Sequence, residues 1–352
     1  MLPAMSPRRT EDTTGQVDAD ETASLGRSRR NHVAPPVARL VIVHPRALAG
    51  VHPLAESSLT IGRHALAHLT VSRQHAAIRW DPGAGRHAVT DLGSRNGTWL
   101  EGQPVSALPR YLEDGAVLRI GDVLAVYERA DVAPGPAPQV AREAIPGDAL
   151  AIQALRAAVA RAGVDPSPAL ILGETGVGKE RVAGELHRLS GRRGPLVVIN
   201  CAALSPQLVE SQLFGHTRGA FTGATAEHAG LFRAANLGTL FLDELGELPL
   251  DLQSKLLRAV EQGEVIAVGS TQRHHVDVRL VAATNRSLLA EVEAGRFRRD
   301  LYARLALWEL HVPPLRARRV DLPGWVDRLH AVWSTQRGHE ATPIEFEADA
   351  LE

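Results

Sequence analysis

The glycine-rich stretch "GETGVGKE" has the residue types and spacing to bind a phosphate chain. Glycines let successive backbone N–H groups curl round a β-phosphate, and a helix that starts directly afterwards adds the positive end of its dipole. Lys179 is placed to reach β- and γ-phosphate oxygens, whereas Glu180 stands where a hydroxyl usually binds Mg²⁺. The alternative is a glycine-rich turn with an exposed lysine. The candidate ATP-binding residues are Gly173, Glu174, Thr175, Gly176, Val177, Gly178, Lys179 and Glu180.

A pair of carboxylates can supply the metal ligand that this stretch lacks. Asp243 and Glu244 follow the apolar run 239–242, which reads as a buried strand, and α/β sheets bind ligands at the carboxyl ends of their strands. We expect Asp243 to hold Mg²⁺ and Glu244 to polarise the attacking water. The alternative is two solvated carboxylates at the end of a strand.

The stretch "RGAFTGA" places one aromatic ring among small residues, in a chain with only six phenylalanines. Gly219 and Gly223 allow sharp turns, so the ring of Phe221 is expected to project from a loop tip beside Thr222. The flanking residues show no helical or alternating apolar pattern that would bury the ring. A partner protein would then supply the apolar surface; the alternative is a core phenylalanine.

Two different domain types position these residues. Residues 37–129 carry short β-type runs separated by Gly, Asp, Pro and Asn, which predicts an all-β sandwich. Residues 147–316 alternate buried-strand runs with helical patterns, including helices from about Lys179 and Pro249, which predicts an α/β domain with a mostly parallel sheet. A disordered tail, 1–36, and a proline- and alanine-rich linker, 130–146, complete this part of the chain.

Composition narrows the class of protein. The chain has 352 residues, 44% of them hydrophobic and 22% charged, and its net charge of −1 argues against binding nucleic acid over its whole surface. One cysteine, Cys201, excludes an intrachain disulfide and is expected to act as a small buried hydrophobe. His216 has no ligand partner at metal spacing and is expected to be structural. The sequence shows neither a membrane-spanning run nor a secretory signal, so we predict a cytoplasmic protein.

The region from about residue 148 resembles the AAA+ domain of bacterial enhancer-binding proteins, the activators of sigma-54 RNA polymerase. The glutamate after the lysine of "GETGVGKE" is itself a trait of this family. About 190 residues are covered, and the other matching stretches, in the order of the family, are "INCAAL", "LFGH", "GAFTGA", "GTLFLDE", "KLLRAVEQGEV", "VGS", "VDVRLVAATN", "FRRDLYARL" and "PPLR".

This resemblance implies roles for further residues. Asn200 matches the asparagine that switches the catalytic glutamate, here Glu244, and Asn285 matches the sensor of the γ-phosphate. Arg298 and Arg304 match arginines supplied to the nucleotide of a neighbouring subunit, so a hexameric ring that hydrolyses ATP with Mg²⁺ is implied. The sigma-54 contact is implied at Gly219, Ala220, Phe221, Thr222, Gly223 and Ala224.

The N-terminal region resembles a forkhead-associated (FHA) domain over about residues 38–128, through "IGR", "SRQH", "DLGSRNGTWLEG" and "LEDGAVLRIGD". Such domains bind phosphothreonine peptides. The resemblance implies that Arg63 and Ser72 take the phosphate, that Arg73 flanks it and that Asn96 holds the peptide backbone. His75 and Gly62 are expected to fix loops. The stretch between Arg63 and Ser72 is shorter than usual in the family; a sandwich that only docks on its own ATPase domain is the alternative.

The last segment, 317–352, matches only the start of the family's helical lid, and a helix-turn-helix DNA-binding domain is expected to be absent from this chain. Either the sequence is a fragment of a longer product or the activator works from solution. The expected fold is therefore an FHA sandwich followed by a P-loop AAA+ domain with an incomplete lid. The expected function is an ATPase that remodels sigma-54 RNA polymerase under FHA control. The alternative is a phosphopeptide-binding adaptor whose ATPase domain binds nucleotide without turnover.

Overall fold

The computed structural model describes residues 37–54, 58–137, 139–203 and 205–338. The predicted tail, 1–36, and the last part of the predicted lid, 339–352, lie outside this range. The first described domain is a sandwich of two antiparallel sheets, as predicted. Its sheets have the strand orders β2-β1-β10-β9-β6-β7 and β3-β4-β5-β8, with β1 Val37–His44, β2 Gly50–Leu54, β3 Leu59–Ile61, β4 Ala76–Asp81, β5 Arg86–Asp91, β6 Thr98–Leu100, β7 Gln103–Pro104, β8 Arg110–Tyr111, β9 Val117–Ile120 and β10 Val123–Ala130.

The sandwich closes because alternate apolar side chains of both sheets point inward. Leu40 and Ile42 of β1, Leu118 of β9 and Ile78 of β4 are almost completely buried in one cluster. Tyr127 joins this core, where its hydroxyl group shares a hydrogen bond of 2.9 Å with Nδ1 of His87. Burial raises the pKa of Tyr127 to about 12, so its hydroxyl keeps its proton at neutral pH.

The second domain is a three-layer α/β unit around a parallel sheet of order β12-β13-β16-β11-β17, which confirms the predicted fold class. A separate hairpin pairs β14 with β15. The helices from about Lys179 and Pro249 begin at Lys179 and Leu250. The elements are α1 Leu150–Val164, β11 Ala169–Leu172, α2 Lys179–Leu189, β12 Leu196–Asn200, α3 Pro206–Phe214, α4 Leu231–Ala234, β13 Thr239–Asp243, α5 Leu250–Gln262, β14 Glu264–Ile266, β15 Arg273–His275, β16 Arg279–Thr284, α6 Leu288–Glu293, α7 Arg299–Leu305, β17 Trp308–His311 and α8 Leu322–Gln336.

Both faces of this sheet are covered by apolar side chains, as a parallel sheet requires. Phe241 of β13 packs in a cluster with Val159 of α1 and Leu186 of α2, whereas the neighbouring Leu240 and Leu242 belong to the cluster of α5 and α7. Successive strand residues point to opposite faces, so one apolar run serves both layers. Because the strands run parallel, the carboxyl ends of β11, β12, β13 and β16 lie at one edge of the sheet.

The segment predicted as a linker, 130–146, does more than join the domains. Val140 and Ile145 are each only 4% exposed and belong to the same core cluster as α1 and α2. Burying two branched apolar side chains stabilises the segment against that domain, since each contributes about 1.5–3 kcal/mol when fully buried. Composition alone predicted an extended spacer because these two residues are isolated among Pro, Gly and Ala.

Candidate functional site

The stretch Gly173–Lys179 forms the turn between β11 and α2, as its sequence predicted. Gly176 and Gly178 have φ angles of +83° and +105°, a region that side chains other than glycine rarely adopt. Gly173 packs so closely that an added Cβ would lie 2.9 Å from the backbone oxygen of Val312. These glycines are therefore required by the shape of the loop, which leads into the N-terminus of α2.

The side chain of Lys179 reaches back across this loop and is only 6% exposed. Its Nζ donates to the backbone oxygens of Gly173, at 3.0 Å, and Glu174, at 3.4 Å, and lies 3.3 Å from Oε1 of Glu244. A buried ammonium group needs such partners because its desolvation is unfavourable. The contact with Glu244 joins the two sequence stretches that were predicted to share one site.

Asp243 and Glu244 stand at the carboxyl end of β13, and the chain turns sharply between them. Glu244 has φ +51° and ψ +48°, a left-handed conformation that is uncommon for residues other than glycine. Its backbone N–H donates to Oδ1 of Asp243 at 3.0 Å. Burial is the main influence on the Asp243 carboxyl and raises its pKa, while this N–H and Lys179 act in the opposite direction. The two carboxylates thus have different partners, Asp243 this N–H and Glu244 the ammonium group of Lys179, which suits two separate tasks.

Asn200 faces a different carboxylate from the one expected. Its Nδ2 lies 3.5 Å from Oδ2 of Asp243, because β12 and β13 run parallel with Asn200 directly opposite Asp243. Glu244 is engaged by Lys179 instead. The amide oxygen of Asn200 accepts the N–H of Ala202 at 2.9 Å, which fixes its orientation.

Asn285 lies directly after β16, which is hydrogen-bonded to β11 in the sheet. Its Nδ2 donates to Oγ1 of Thr175 at 3.3 Å. The structure thus places Asn285 beside the glycine-rich loop, where a donor could reach the end of a phosphate chain.

A cleft of about 500 Å³ opens beside this loop. Its lining comes largely from two chain segments, which we call its two walls: one ends in α1 and includes Ile145 and Ile152, and the other runs from β17 into α8 and includes Leu315, Arg318 and Trp325. Nε of Arg318 and Nε1 of Trp325 are buried and lack a hydrogen-bond partner within the described part of the chain. Apolar walls with unpaired donors beside a phosphate-type loop fit the base and sugar of a nucleotide.

Arg316 was missed as a site residue, although "PPLR" was recognised in the sequence. Its Nη1 donates to Oε2 of Glu174 at 2.8 Å, and its Nη2 is bonded to Oε1 of the same carboxylate. This pair joins the segment after β17 to the glycine-rich loop. No local sequence signal identifies it, because the two residues are 142 positions apart.

Arg298 and Arg304 are not among the residues that line this cleft. Arg298 is exposed and forms a two-pronged ion pair with Asp300, at 3.0 and 2.7 Å. Arg304 is exposed in the last turn of α7. Both are accessible to another molecule.

The segment Gly219–Ala224 forms a closed loop between α3 and α4. Gly219 and Gly223 have φ angles of +80° and +100°, and the N–H of Gly219 donates to the oxygen of Ala224 at 2.8 Å. Phe221 is 41% exposed, and its ring packs edge-on against His216 with centroids 5.0 Å apart. Thr222 is exposed and Ala224 is buried. The ring is therefore presented at the surface and supported on one side, less fully projecting than the sequence alone suggested.

His216 connects this loop to its surroundings. It exchanges backbone hydrogen bonds of 2.9 Å with His228 in both directions, and its Nδ1 shares a hydrogen bond of 2.7 Å with Oγ of Ser211.

Cys201 is 4% exposed; burial first, and then the nearby Asp243 and Glu244 carboxylates, raise its pKa to about 12. Its thiol thus stays protonated. No group of three or more His, Cys, Asp or Glu placed to hold a metal ion occurs among the described residues.

The candidate phosphate-binding residues of the sandwich lie on neighbouring loops. The guanidinium of Arg63 donates to the backbone oxygens of Val71, at 3.0 Å, and Leu69, at 3.1 Å. Oγ of Ser72 accepts the N–H of Arg95 at 3.1 Å. The structure thus brings Arg63 and Ser72 to adjacent loops, and Arg95 is an additional basic neighbour that sequence reasoning missed.

Three further residues shape this surface. Nδ2 of Asn96 donates to the oxygen of Thr70 at 2.8 Å, and Arg73 is exposed. His75 is completely buried; its Nδ1 accepts the N–H of Ser72 at 3.1 Å and its Nε2 lies 2.7 Å from the oxygen of Gly97. An added Cβ on Gly62 would lie 2.1 Å from the oxygen of Arg73, so only glycine fits there.

Two family matches cover most of the described chain. Residues 145–311 match the Sigma-54 interaction domain, and residues 59–121 match the FHA domain. Among the helices of the described residues, none has the length and apolar character that a membrane crossing needs.

Curated relatives match the second domain. The nitric oxide reductase transcription regulator NorR1 of Cupriavidus necator is 58% identical over 156 residues, which is 44% of this chain and 30% of NorR1. The sigma-54-dependent transcriptional activator SfnR of Pseudomonas putida is 48% identical over 199 residues, covering 56% of this chain and 54% of SfnR. The chain thus spans about a third to a half of the length of these relatives.

Solved structures of a further regulatory protein also match this chain. NtrX from Brucella abortus in complex with ADP is 34% identical, with a TM-score of 0.53, over 58% of this chain and 44% of NtrX. The same protein in complex with ATP is 35% identical, with a TM-score of 0.52, over 55% of this chain and 42% of NtrX.

Proposed function

We propose that this protein is an ATPase that remodels sigma-54 RNA polymerase under the control of a phosphothreonine-binding module. The premise is that the chain carries the AAA+ sigma-54 interaction domain of sigma-54-dependent transcriptional activators together with an FHA domain. The observation that carries the proposal is the convergence of Lys179, Glu244 and Asn285 around one glycine-rich loop beside a cleft of nucleotide size. The ADP and ATP complexes of NtrX support nucleotide binding in this type of domain. We propose a cytoplasmic protein that assembles as a hexameric ring.

In this proposal the loop glycines and Lys179 bind the phosphates of ATP. Asp243 holds Mg²⁺, which would neutralise phosphate charge when bound. Glu244 accepts the proton of the attacking water, and its present contact with Lys179 must loosen for this to happen. Asn200, the last residue of β12, lies beside Asp243 and switches to Glu244 during the cycle. Arg298 and Arg304 act on the nucleotide of the neighbouring subunit, for which Arg298 must leave Asp300.

The loop Gly219–Ala224 is the proposed contact with sigma-54. Its base is held by the segment after β14: the N–H of Thr217 donates to the oxygen of Val268 at 3.0 Å. Gly269, with φ +78°, lies so close that an added Cβ would be 2.7 Å from Oγ1 of Thr217. This packing provides a mechanical connection between the exposed Phe221 and the body of the domain.

The test of the proposal is a pair of loop variants. We expect Phe221→Ala and Thr222→Ala to hydrolyse ATP like the wild-type protein, because neither side chain lines the cleft, and to lose sigma-54 binding in the presence of a transition-state analogue. Promoter opening by sigma-54 polymerase should be lost as well. A gel-shift assay with purified sigma-54 and a coupled ATPase assay measure the two properties separately.

Leu289→Ala is the matched control, since Leu289 is an exposed apolar residue, 55% accessible, on α6. It should retain both properties. Aggregation of Phe221→Ala would indicate that the ring stabilises the fold through His216. Full promoter opening by both loop variants would contradict the proposed sigma-54 contact.

The proposed binding of phosphothreonine peptides by the FHA domain is tested separately. We expect Ser72→Ala to weaken binding of a phosphothreonine peptide by about 10- to 100-fold, because a hydrogen bond to a charged group contributes about 1.5–3 kcal/mol. Arg63→Ala should abolish binding, although it also removes the bonds to Leu69 and Val71 that shape the loop. Isothermal titration with phosphorylated and unphosphorylated versions of a peptide library measures the effect.

Arg86→Ala serves as the control, because Arg86 is paired with Glu113 on the surface of the same domain and lies outside these loops. Thermal melting of each variant shows whether the sandwich remains folded. If no peptide binds in a phosphate-dependent way, the FHA domain acts by docking alone and its proposed peptide-binding role is wrong.

A further inference from the structure

The FHA domain is joined to the start of α1 by one buried and one exposed hydrogen bond. Ala149, the N-cap of α1, supplies no side-chain cap, so the first N–H groups of this helix need acceptors from elsewhere. Oε1 of Glu128, in the last strand of the FHA domain, accepts the N–H of Leu150 at 3.3 Å. Glu128 is 5% exposed and is bonded to Nε of Arg39 at 2.8 Å, while Nη2 of Arg39 donates to the oxygen of Asp148 at 2.6 Å. One domain thus caps the first helix of the other.

The same FHA domain also contacts the segment between β17 and α8, and α8 itself. Nη1 of Arg319 donates to both carboxylate oxygens of Glu101, at 2.7 and 3.0 Å. Nη2 of Arg46 donates to Oδ1 of Asp327, in α8, at 2.6 Å. Beside the Glu101–Arg319 contact lies a gap of about 270 Å³, partly lined by Val126 and Leu322. The second contact is therefore polar and incompletely packed, as expected of an interface that can open.

These two attachment points stand on different walls of the candidate nucleotide cleft. Ile152, in the second position after Leu150, lines the cleft on the α1 side, and Arg316 and Arg318 line it on the other. Arg316, three residues before Arg319, is bonded to Glu174 in the glycine-rich loop. Asp321 accepts the N–H groups of Asp148 and Ala149, at 2.6 and 3.0 Å, and so ties the two walls together from within.

We propose that the docked FHA domain is a clamp that bridges the two walls of the nucleotide cleft and restrains their separation. Nucleotide entry and release require these walls to move apart, and motion of such segments often limits turnover. Breaking the Glu101–Arg319 contact removes one of the restraints on the wall that carries Arg316 and Arg318, while the opposite wall stays in the core and Asp321 still joins the two. Release of the FHA domain therefore accelerates nucleotide exchange. This inference rests on the nucleotide binding proposed above.

The clamp is tested by charge reversal in the full chain. We expect Arg319→Glu to accelerate the release of the fluorescent nucleotide mant-ADP by at least about threefold, because an exposed attractive pair is replaced by a repulsive one. Hydrogen exchange of the Leu150 amide should also rise, because undocking withdraws Glu128. The double variant Glu101→Arg with Arg319→Glu restores an attractive pair and should return both rates towards the wild-type values.

Arg86→Glu is the control, since it breaks the Arg86–Glu113 surface pair within the FHA domain and should alter neither rate. Faster exchange at Leu150 with unchanged mant-ADP release would show that the FHA domain docks without controlling the cleft. Unchanged exchange in Arg319→Glu would show that Glu101 and Arg319 do not hold the domain in place. Either result overturns the clamp. A chain that binds no mant-ADP at all contradicts the proposed nucleotide site as well, while the exchange measurement still reports on docking.

Discussion

Glu244→Gln is expected to bind ATP about as tightly as the wild-type protein and to lose at least about 100-fold in turnover, since general acid–base catalysis typically contributes about 10²–10⁴. The amide keeps the shape of the side chain and can still lie beside Lys179, but it cannot accept the proton of the attacking water. The change from glutamate to glutamine adds no steric demand on the left-handed backbone conformation at this position. Binding is measured by titration with mant-ATP and turnover by phosphate release.

Lys179→Ala provides the contrast, because it removes the charge that the loop holds against Gly173, Glu174 and Glu244. We expect it to weaken ATP binding itself.

Turnover of the wild-type chain should rise per molecule with protein concentration, since arginines supplied by a neighbour act only in an assembled ring. Wild-type turnover in Glu244→Gln would contradict the assigned site, and absence of turnover in the wild type at every concentration would favour the adaptor function.

Arg279→Leu is expected to destabilise the second domain by about 1–3 kcal/mol, since a buried group left without a partner costs about that much. Arg279 is 2% exposed, and its guanidinium donates to the backbone oxygens of Ala162, Gly163 and Leu186, at 2.6, 2.8 and 3.2 Å. These carbonyls belong to the last turns of α1 and α2, where the C=O groups of an α-helix have no intrahelical donor. The N–H of Asp165 still reaches the oxygen of Ala162, at 3.3 Å, and that of Ser190 reaches the oxygen of Leu186, at 3.1 Å, so the loss falls mainly on Gly163. A leucine fills part of the volume and satisfies none of them.

Urea unfolding of the full chain, followed by tryptophan fluorescence and by far-ultraviolet circular dichroism, measures this loss. Arg273→Leu is the matched control, because Arg273 is an exposed arginine, 65% accessible, in the β14–β15 hairpin. It should change the free energy of unfolding little. An unfolding midpoint of Arg279→Leu equal to that of the wild type would show that water or a rearranged backbone satisfies these carbonyls.

The two fold classes and the local form of the main loops could be predicted from the amino-acid sequence. Gly176 and Gly178 lie where the phosphate-type turn needs positive φ angles, and the apolar runs before Gly173 and Asp243 predict the buried strands that the α/β sheet contains. These features depend on backbone conformation and on the pattern of near neighbours, which a sequence displays directly. The match to the sigma-54 interaction and FHA domains has the same origin.

The side-chain partners were decided by the tertiary structure. Asn200 meets Asp243 and not Glu244 because the register of two parallel strands sets them side by side and the next residue turns away. Phe221 rests on His216 because the loop closes on itself through Gly219 and Ala224. Both contacts depend on side-chain orientations at the ångström scale. The order of residue types along the chain does not specify these orientations.

Contacts between distant segments were invisible to the sequence for a different reason. Glu174 and Arg316 are 142 positions apart, and Glu101 and Arg319 are 218 apart. Many other exposed charges of this chain could have formed those pairs, since charged side chains attract one another with little regard to sequence position. Only the packing of the sheet, of α1 and of the sandwich brings these four residues into reach, and the same packing attaches the FHA domain beside the candidate nucleotide cleft.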